Sequence, residues 1–347
     1  MKKATISAAL DAVTVTTTPA DTTAADTTTT TTDAQTAQTA PELDAPVFCT
    51  ECTAPNRMPQ VVAVSLNPRR VLDPVTITEA DGTTKQYIFV TPANRAALEV
   101  IAHELDRQRD GKKPDFLRLV SLLHVVHHHD TKESKSKLAG LDSISTCCLD
   151  NPLCEALRKI PGSICQKCYA ATQQSRQPEL SERNIINGLV LRNFLIPRKY
   201  FALLHFAPLA TYRRVESFGD VANVTQARNY CRIITAHKAA RFGVWSKHEG
   251  IYKAAFKAEG GQPKNASFVY SSVFVDTPAP LPDGFDHVFT AYHPATITAE
   301  GIEINCGGRR CADCIRAKKG CYFKASARNP VEIREQLKEP EQVIYTV

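Results

Sequence analysis

The sequence predicts an α/β protein with a mostly parallel sheet that permits closure into a partial (β/α) barrel. It also predicts cysteine-rich metal-binding loops and a disordered N-terminal tail. Three observations carry this expectation. From residue 138 onward, β-branched and aromatic runs alternate with stretches of helical apolar spacing, the pattern of parallel strands joined by crossover helices. Ten of the 12 cysteines fall at or after residue 147, nine of them in two groups. Residues 14–39 are mostly Thr, Ala and Asp with no aromatic residue, so they cannot bury enough surface to offset their ordering entropy. The length of 347 residues suits one large domain or two ordinary ones. There is no run of about 18 apolar residues, which excludes a transmembrane helix.

The elements follow in order. Residues 1–46 form the expected tail, with two lysines against six acids. Asp11 interrupts the apolar run that follows Met1-Lys2-Lys3, so a solubilising tail is preferred over a secretory signal. The net charge of the whole chain is +6, so the surplus lies beyond the tail and permits an anionic partner. Residues 47–137 read as a small α+β region. It holds strands over 61–65 and 87–90 around an Asp81-Gly82 turn, a helix opened by Thr91-Pro92, and a second helix over 114–126. A charged linker, 132–137, leads to the cysteine-rich α/β domain, 138–347. There, helices fit 181–195, 224–237 and 251–258. Strands fit 213–218, 241–246, 267–275 and 287–292, and a last helix fits 331–337. In parallel sheets the functional groups lie just past the strand carboxyl ends. Asp220, Lys247, His248 and His293 fall there, with Asp220, Lys247 and His293 the candidate ligand-contacting or catalytic residues.

The first cysteine group is Cys147, Cys148, Cys154, Cys165 and Cys168; the second is Cys306, Cys311, Cys314 and Cys321. Each contains a C-x-x-C pair, whose two thiolates can face one metal from a tight turn. The second group spells C-x4-C-x2-C-x6-C. Its first three members match plant-type iron–sulfur spacing, with Gly307-Gly308 allowing close backbone approach. Iron–sulfur ligation, with a 4Fe–4S cluster favoured, is the leading reading, and zinc is the alternative. Spacing does not separate the two. The expected arrangement is one centre on Cys306, Cys311, Cys314 and Cys321, and another on Cys154, Cys165 and Cys168 with Cys147 or Cys148. Disulfides are disfavoured without a secretory signal. Cys231, inside a helical pattern, reads as a buried small hydrophobe. Cys49-x-x-Cys52 has no nearby partner pair.

Cys165-Gln-Lys-Cys168-Tyr169-Ala170, Glu216-Ser-Phe-Gly-Asp220, Gly243-Val-Trp-Ser-Lys247 and Cys306…Cys311-x-x-Cys314 together resemble the phage "gene product 88" family over residues 140–325. The resemblance implies an α/β fold, a bacteriophage or mobile-element origin and a place in the host-cell cytoplasm. It implies no established reaction. More remotely, the motifs resemble radical S-adenosylmethionine enzymes, which have a partial (β/α) barrel and C-x3-C-x2-C; here the nearest match is Cys154-x10-Cys165-x2-Cys168.

Two further clusters carry candidate ligands or charge. His124, His127, His128 and His129 fall on the expected helix over 114–126 and its end, where His124 and His128 at i, i+4 could share a metal. A solvated helix end is preferred. Arg309, Arg310, Arg316, Lys318, Lys319 and Lys324 surround the second cysteine group. A zinc-stapled loop with basic residues can meet nucleic acid, which makes a zinc-stapled nucleic-acid-binding module the alternative function. Asp220 reads equally as an N-cap of the following helix.

Overall fold

The computed structural model describes residues 60–62, 74–87, 92–129, 137–207, 211–307, 310–326 and 329–337. The Thr-rich tail, Cys49, Cys52, residues 132–136, Gly308 and Arg309 lie outside them.

A small sheet comes first. Strands β1 (Gln60–Val62), β2 (Val75–Thr78) and β3 (Thr84–Tyr87) lie in the order β1-β3-β2. β2 and β3 form an antiparallel hairpin whose turn contains Asp81-Gly82, with Gly82 at φ 86°. The expected turn is therefore in place, but it joins 75–78 to 84–87. The sequence reading had missed the first of these strands and placed the second later, at 87–90. Helix α1 (Pro92–Arg109) follows, then α2 (Phe116–Ser121), which Asp115 caps by accepting from Arg118 N at 3.1 Å.

The helix expected over 114–126 stops early. Val126–His127 is instead strand β4, antiparallel to β5 (Asp142–Ile144). The histidine run is therefore not a helical face. His127 Nδ1 meets Asp142 Oδ1 at 2.9 Å, His128 Nε2 meets Ser143 Oγ at 2.8 Å, and Asn187 satisfies both the backbone N and O of His124. Pairing with β5 outweighs the helical pattern, as tertiary contacts commonly override weak local preference.

The main sheet has seven strands: β4, β5, β6 (Tyr212–Val215), β7 (Arg241–Ser246), β8 (Ala266–Ser271), β9 (His287–Tyr292) and β10 (Glu332–Gln336). They are ordered β10-β9-β8-β7-β6-β5-β4, and every pairing from β5 to β10 is parallel. Each strand thus adds beside its predecessor in chain order, without the reversal of a doubly wound sheet. β4 and β10 are not paired with each other among the described residues. β10 corrects an expectation, since 331–337 was read as a helix. Glu, Arg and Gln favour helix, but the segment pairs in register with Val288–Tyr292 and buries Ile333, so the ladder decides its conformation.

The crossovers carry the remaining helices. Between β5 and β6 run α3 (Pro152–Lys159), a 3-10 turn (Ile164–Lys167), α4 (Tyr169–Arg176), α5 (Pro178–Asn193) and α6 (Arg198–Phe201). Later crossovers hold α7 (Val224–Ala236), α8 (Glu249–Glu259), α9 (Pro294–Glu300) and α10 (Cys311–Arg316). α5 is buried almost all round. Its Ile185, Ile186, Leu189 and Val190 join one core with Leu98 and Ile101 of α1, Ile233 and Ile234 of α7, and Val215, Val244 and Phe268 of the sheet. Each such side chain contributes about 1.5–3 kcal/mol by leaving water. This core fixes the strand ends from which the candidate site is built.

Candidate metal centre

Because β5 to β10 are parallel, their carboxyl ends share one rim. The loop after β5 carries Cys147 and Cys148. The loop after β6 carries Glu216 to Asp220, and Lys247 and His248 follow β7. β6 ends where Glu216 turns into the left-handed region, at φ 56°. That buried carboxylate accepts from Thr146 N at 3.0 Å, Thr146 Oγ at 2.8 Å, Gln226 Nε2 at 3.0 Å and the Tyr230 hydroxyl. Burial pushes its pKa up to about 7 despite the donors from Tyr230 and Thr146. Gly219 is required here, because a Cβ would lie 2.5 Å from the Thr146 carbonyl oxygen. The β5 and β6 loops are thereby locked together, with Ser217 N donating to Ser145 Oγ at 3.0 Å.

The first cysteine group is held by this scaffold. Gln174 of α4, 1% exposed, accepts at Oε1 from Cys148 N at 3.0 Å, from the Cys148 thiol at 3.0 Å and from the Cys147 thiol at 3.4 Å. Its Nε2 donates to the Thr146 carbonyl at 3.3 Å. The neighbouring Cys148 thiol lowers the Cys168 pKa, against the opposing effect of burial. The Ala171 and Ala170 N–H groups at the start of α4 and the Lys247 charge assist. Cys148 is correspondingly pushed up. The adjacent pair therefore divides. Both are 2% exposed, but Cys147 packs into the apolar core and is pushed up to about 12 by burial, whereas Cys148 is pushed up first by the neighbouring Cys168. Cys154 is half-buried and also pushed up, by burial and then by Asp220 and Cys165.

Asp220 and Lys247 belong to this same place. Asp220 accepts from Ser246 Oγ at 2.6 Å, Lys247 N at 2.8 Å and Val221 N at 2.8 Å. It does not cap the following helix; Asn223 does, by accepting from Gln226 N at 2.9 Å. Burial lowers the Lys247 pKa, but Cys165, Asp220, Cys154 and Cys168 outweigh it and hold the ammonium charged. His248 Nε2 lies 4.0 Å from Asp220 Oδ2, and burial keeps this ring towards its neutral form. His293 shares the rim but engages Asp276, whose Oδ2 is 2.7 Å from Nδ1.

The second group is built differently. Cys311 and Cys314 lie on one turn of α10, an element with no buried residue. Cys306 Sγ is 3.9 Å from Glu335 Oε2 at the end of β10, and Glu335 pairs with Lys137. Burial raises Cys306 to about 11, Glu335 adding to the effect, and burial also raises Cys311 and Cys321. Arg214 of β6 stacks over the Trp245 ring at 3.0 Å and acts on Cys311, Cys321 and Tyr169. Tyr169, 63% exposed, follows Cys168 directly and donates to the Ser217 carbonyl at 2.6 Å.

Among the described residues, no three or more His, Cys, Asp or Glu side chains stand at metal-binding geometry. The donor chemistry is nonetheless that of a soft-metal or cluster site: thiols, with the Cys168 pKa lowered, beside a Lys247 whose pKa is raised. Sequence reading missed Gln174, Thr146 and the role of Glu216. Glu216 lies inside the Glu216-to-Asp220 motif, but Gln174 carries no sequence signal, since only the course of α4 brings it to the Cys147–Cys148 loop. Comparison with protein-family models, curated proteins and solved structures finds no match to this chain. No helix among the described residues is long and apolar enough to cross a membrane.

Proposed function

We propose that the chain is a cysteine-ligated iron–sulfur protein of bacteriophage or mobile-element origin, a scaffold of partial (β/α) barrel type with its working site at the carboxyl rim. One observation carries the reading: the Cys147–Cys148 loop, held by Gln174 through the Cys148 amide and both thiols, shares the carboxyl rim with Lys247, whose amide donates to Asp220 at 2.8 Å. The chain-order strand arrangement supports the barrel assignment, and the four motifs shared with the gene product 88 family support the origin. Cys148, Cys154, Cys165 and Cys168 would hold a 4Fe–4S cluster, which would supply one-electron transfer when bound. The protein's own part is electrostatic and positional. Cys148, the α4 N-terminus and Lys247 favour the Cys168 thiolate, Lys247 would offset thiolate charge, and Ser246 with the Lys247 amide fixes Asp220. Closure of the ligand-bearing loops on the metal would complete the coordination, as metal binding is coupled to local folding.

Zinc at the second group is the other reading. It is favoured by the exposed basic flank of α10, where Arg316 is 64% exposed, and it would suit a nucleic-acid contact. Anaerobic purification with iron, zinc and acid-labile sulfide analysis separates the two. The expected result is a brown protein containing iron and sulfide, with the colour lost in Cys165→Ser/Cys168→Ser. A colourless protein containing only zinc establishes the alternative, and a protein with no metal overturns both.

A further inference from the structure

Asp150 lies two residues beyond Cys148, and its side chain is 1% exposed. Its carboxylate accepts from Lys85 Nζ at 3.0 Å, Tyr87 hydroxyl at 3.2 Å and Arg192 Nη2 at 2.6 Å. Arg192 Nη1 also donates to the Asp150 carbonyl at 3.1 Å. The same guanidinium grips Glu79, through Nε at 2.6 Å and Nη2 at 2.7 Å. Asn193 closes the far side. It donates to Glu79 Oε2 at 3.1 Å and accepts from Ala80 N at 2.8 Å.

Two carboxylates and two cations make this buried cluster electrically neutral. Its members come from three places: Glu79, Lys85 and Tyr87 from the hairpin of the small sheet, Arg192 and Asn193 from α5, and Asp150 from the thiol loop. The other anchors of that loop, Glu216, Gln174 and the bond from Asn151 Nδ2 to the Asp220 carbonyl at 2.7 Å, all belong to the main-sheet crossovers. The Asp150 anchor differs because it draws on another sheet.

We infer that the small sheet is a working part of the first thiol site. Glu79, Lys85 and Tyr87 act through Arg192 and Asp150 as positioning residues that hold the Cys147–Cys148 loop against α4. With the carboxylates unbalanced, Arg192 shifts off Asp150, the loop loses its outer anchor, and Cys148 moves away from Cys168. Only the metal arm of the test rests on the iron–sulfur or zinc reading.

The test uses the full chain carrying Glu79→Gln, Lys85→Met or Tyr87→Phe. These residues lie in the small sheet and touch no thiol. Reduced, metal-free protein is alkylated, and the rate at each cysteine is read by mass spectrometry. We expect Cys148 to react on the order of tenfold faster in Glu79→Gln and Lys85→Met, since the loop opens locally. Tyr87→Phe should give a smaller rise, and Cys314 and Cys321 should keep their wild-type rates. In the metal arm, affinity for the metal taken up by the first group should fall by about tenfold or more. An unchanged rate at Cys148 in folded variants overturns the inference. So does a uniform rise at every cysteine including Cys231, which marks general destabilisation. If Glu79→Gln does not fold, Lys85→Met and Tyr87→Phe decide the matter. A chain that binds no metal refutes the metal reading and leaves the alkylation result standing.

Discussion

The first cysteine group takes its thiols from a strand-end loop, a helix and a 3-10 turn, and buried polar side chains from α4, α5 and the β6 loop hold them. The second group takes all four from the short stretch 306–321, two of them on α10, a helix with no buried residue. The difference teaches where each site gets its order. The first is organised by tertiary structure before any ligand arrives. The second has its donors close in sequence, so a bound metal would itself supply much of the local order.

The comparison breaks most sharply at Arg192. Arg192→Met leaves Glu79 and Asp150 buried with Lys85 as the one remaining cation, and removal of one partner from a buried ion cluster costs about 3–5 kcal/mol. Chemical denaturation should show that loss. A variant as stable as wild type would mean the cluster contributes no net stability. Gly219→Ala comes next. Its Cβ meets the Thr146 carbonyl oxygen at 2.5 Å, so the loops after β5 and β6 must part at a cost of about 1–3 kcal/mol. The second group should keep its thiol reactivity in this variant. Equal disturbance of both groups would erase the contrast between them.

Two smaller effects sharpen the contrast. Cys148→Ser should lower metal bound at the first group, while Cys147→Ser should retain it, because Cys147 sits in the core and Cys148 faces Cys168. Metal analysis that ranks them the other way would reverse the assignment within the pair. Glu216 gives a pH signature. Its folded-state pKa is raised from 4.5 to about 7, so the folded state holds this proton more tightly than the unfolded one. The resulting stability is fully present below about pH 4.5 and is lost as pH rises through about 7. The slope is at most about 1.4 kcal/mol per pH unit. Glu216→Gln should flatten that part of the stability profile; an unchanged slope would assign it to other groups. Smallest of all is Arg316→Ala on α10. It breaks an exposed, solvent-screened pair with Asp313 and should leave the denaturation midpoint unchanged; a clear drop would give this pair a structural role.

Much of the architecture was legible in the sequence. The strands at 241–246 and 287–292 and the helix from 224 follow directly from hydrophobic period, because their side chains meet the core at the spacing that periodicity detects. β4 and β10 were not legible. One is two residues long and the other is written in helix-favouring residues, so both exist only because a neighbouring strand offers a ladder.

The candidate site divides in the same way. The sequence by itself determined that nine cysteines fall in two groups and that Asp220 and Lys247 follow strands, since spacing along the chain is a local property. Tertiary structure alone decided that Gln174 holds Cys147 and Cys148, that Asn223 and not Asp220 caps α7, and that His293 pairs with Asp276. It also decided that Glu79, far upstream, helps to hold Asp150 through Arg192. The physical reason is that buried polar groups must find partners wherever the packed backbone places them, and those partners are chosen by distance in space, which sequence spacing does not encode.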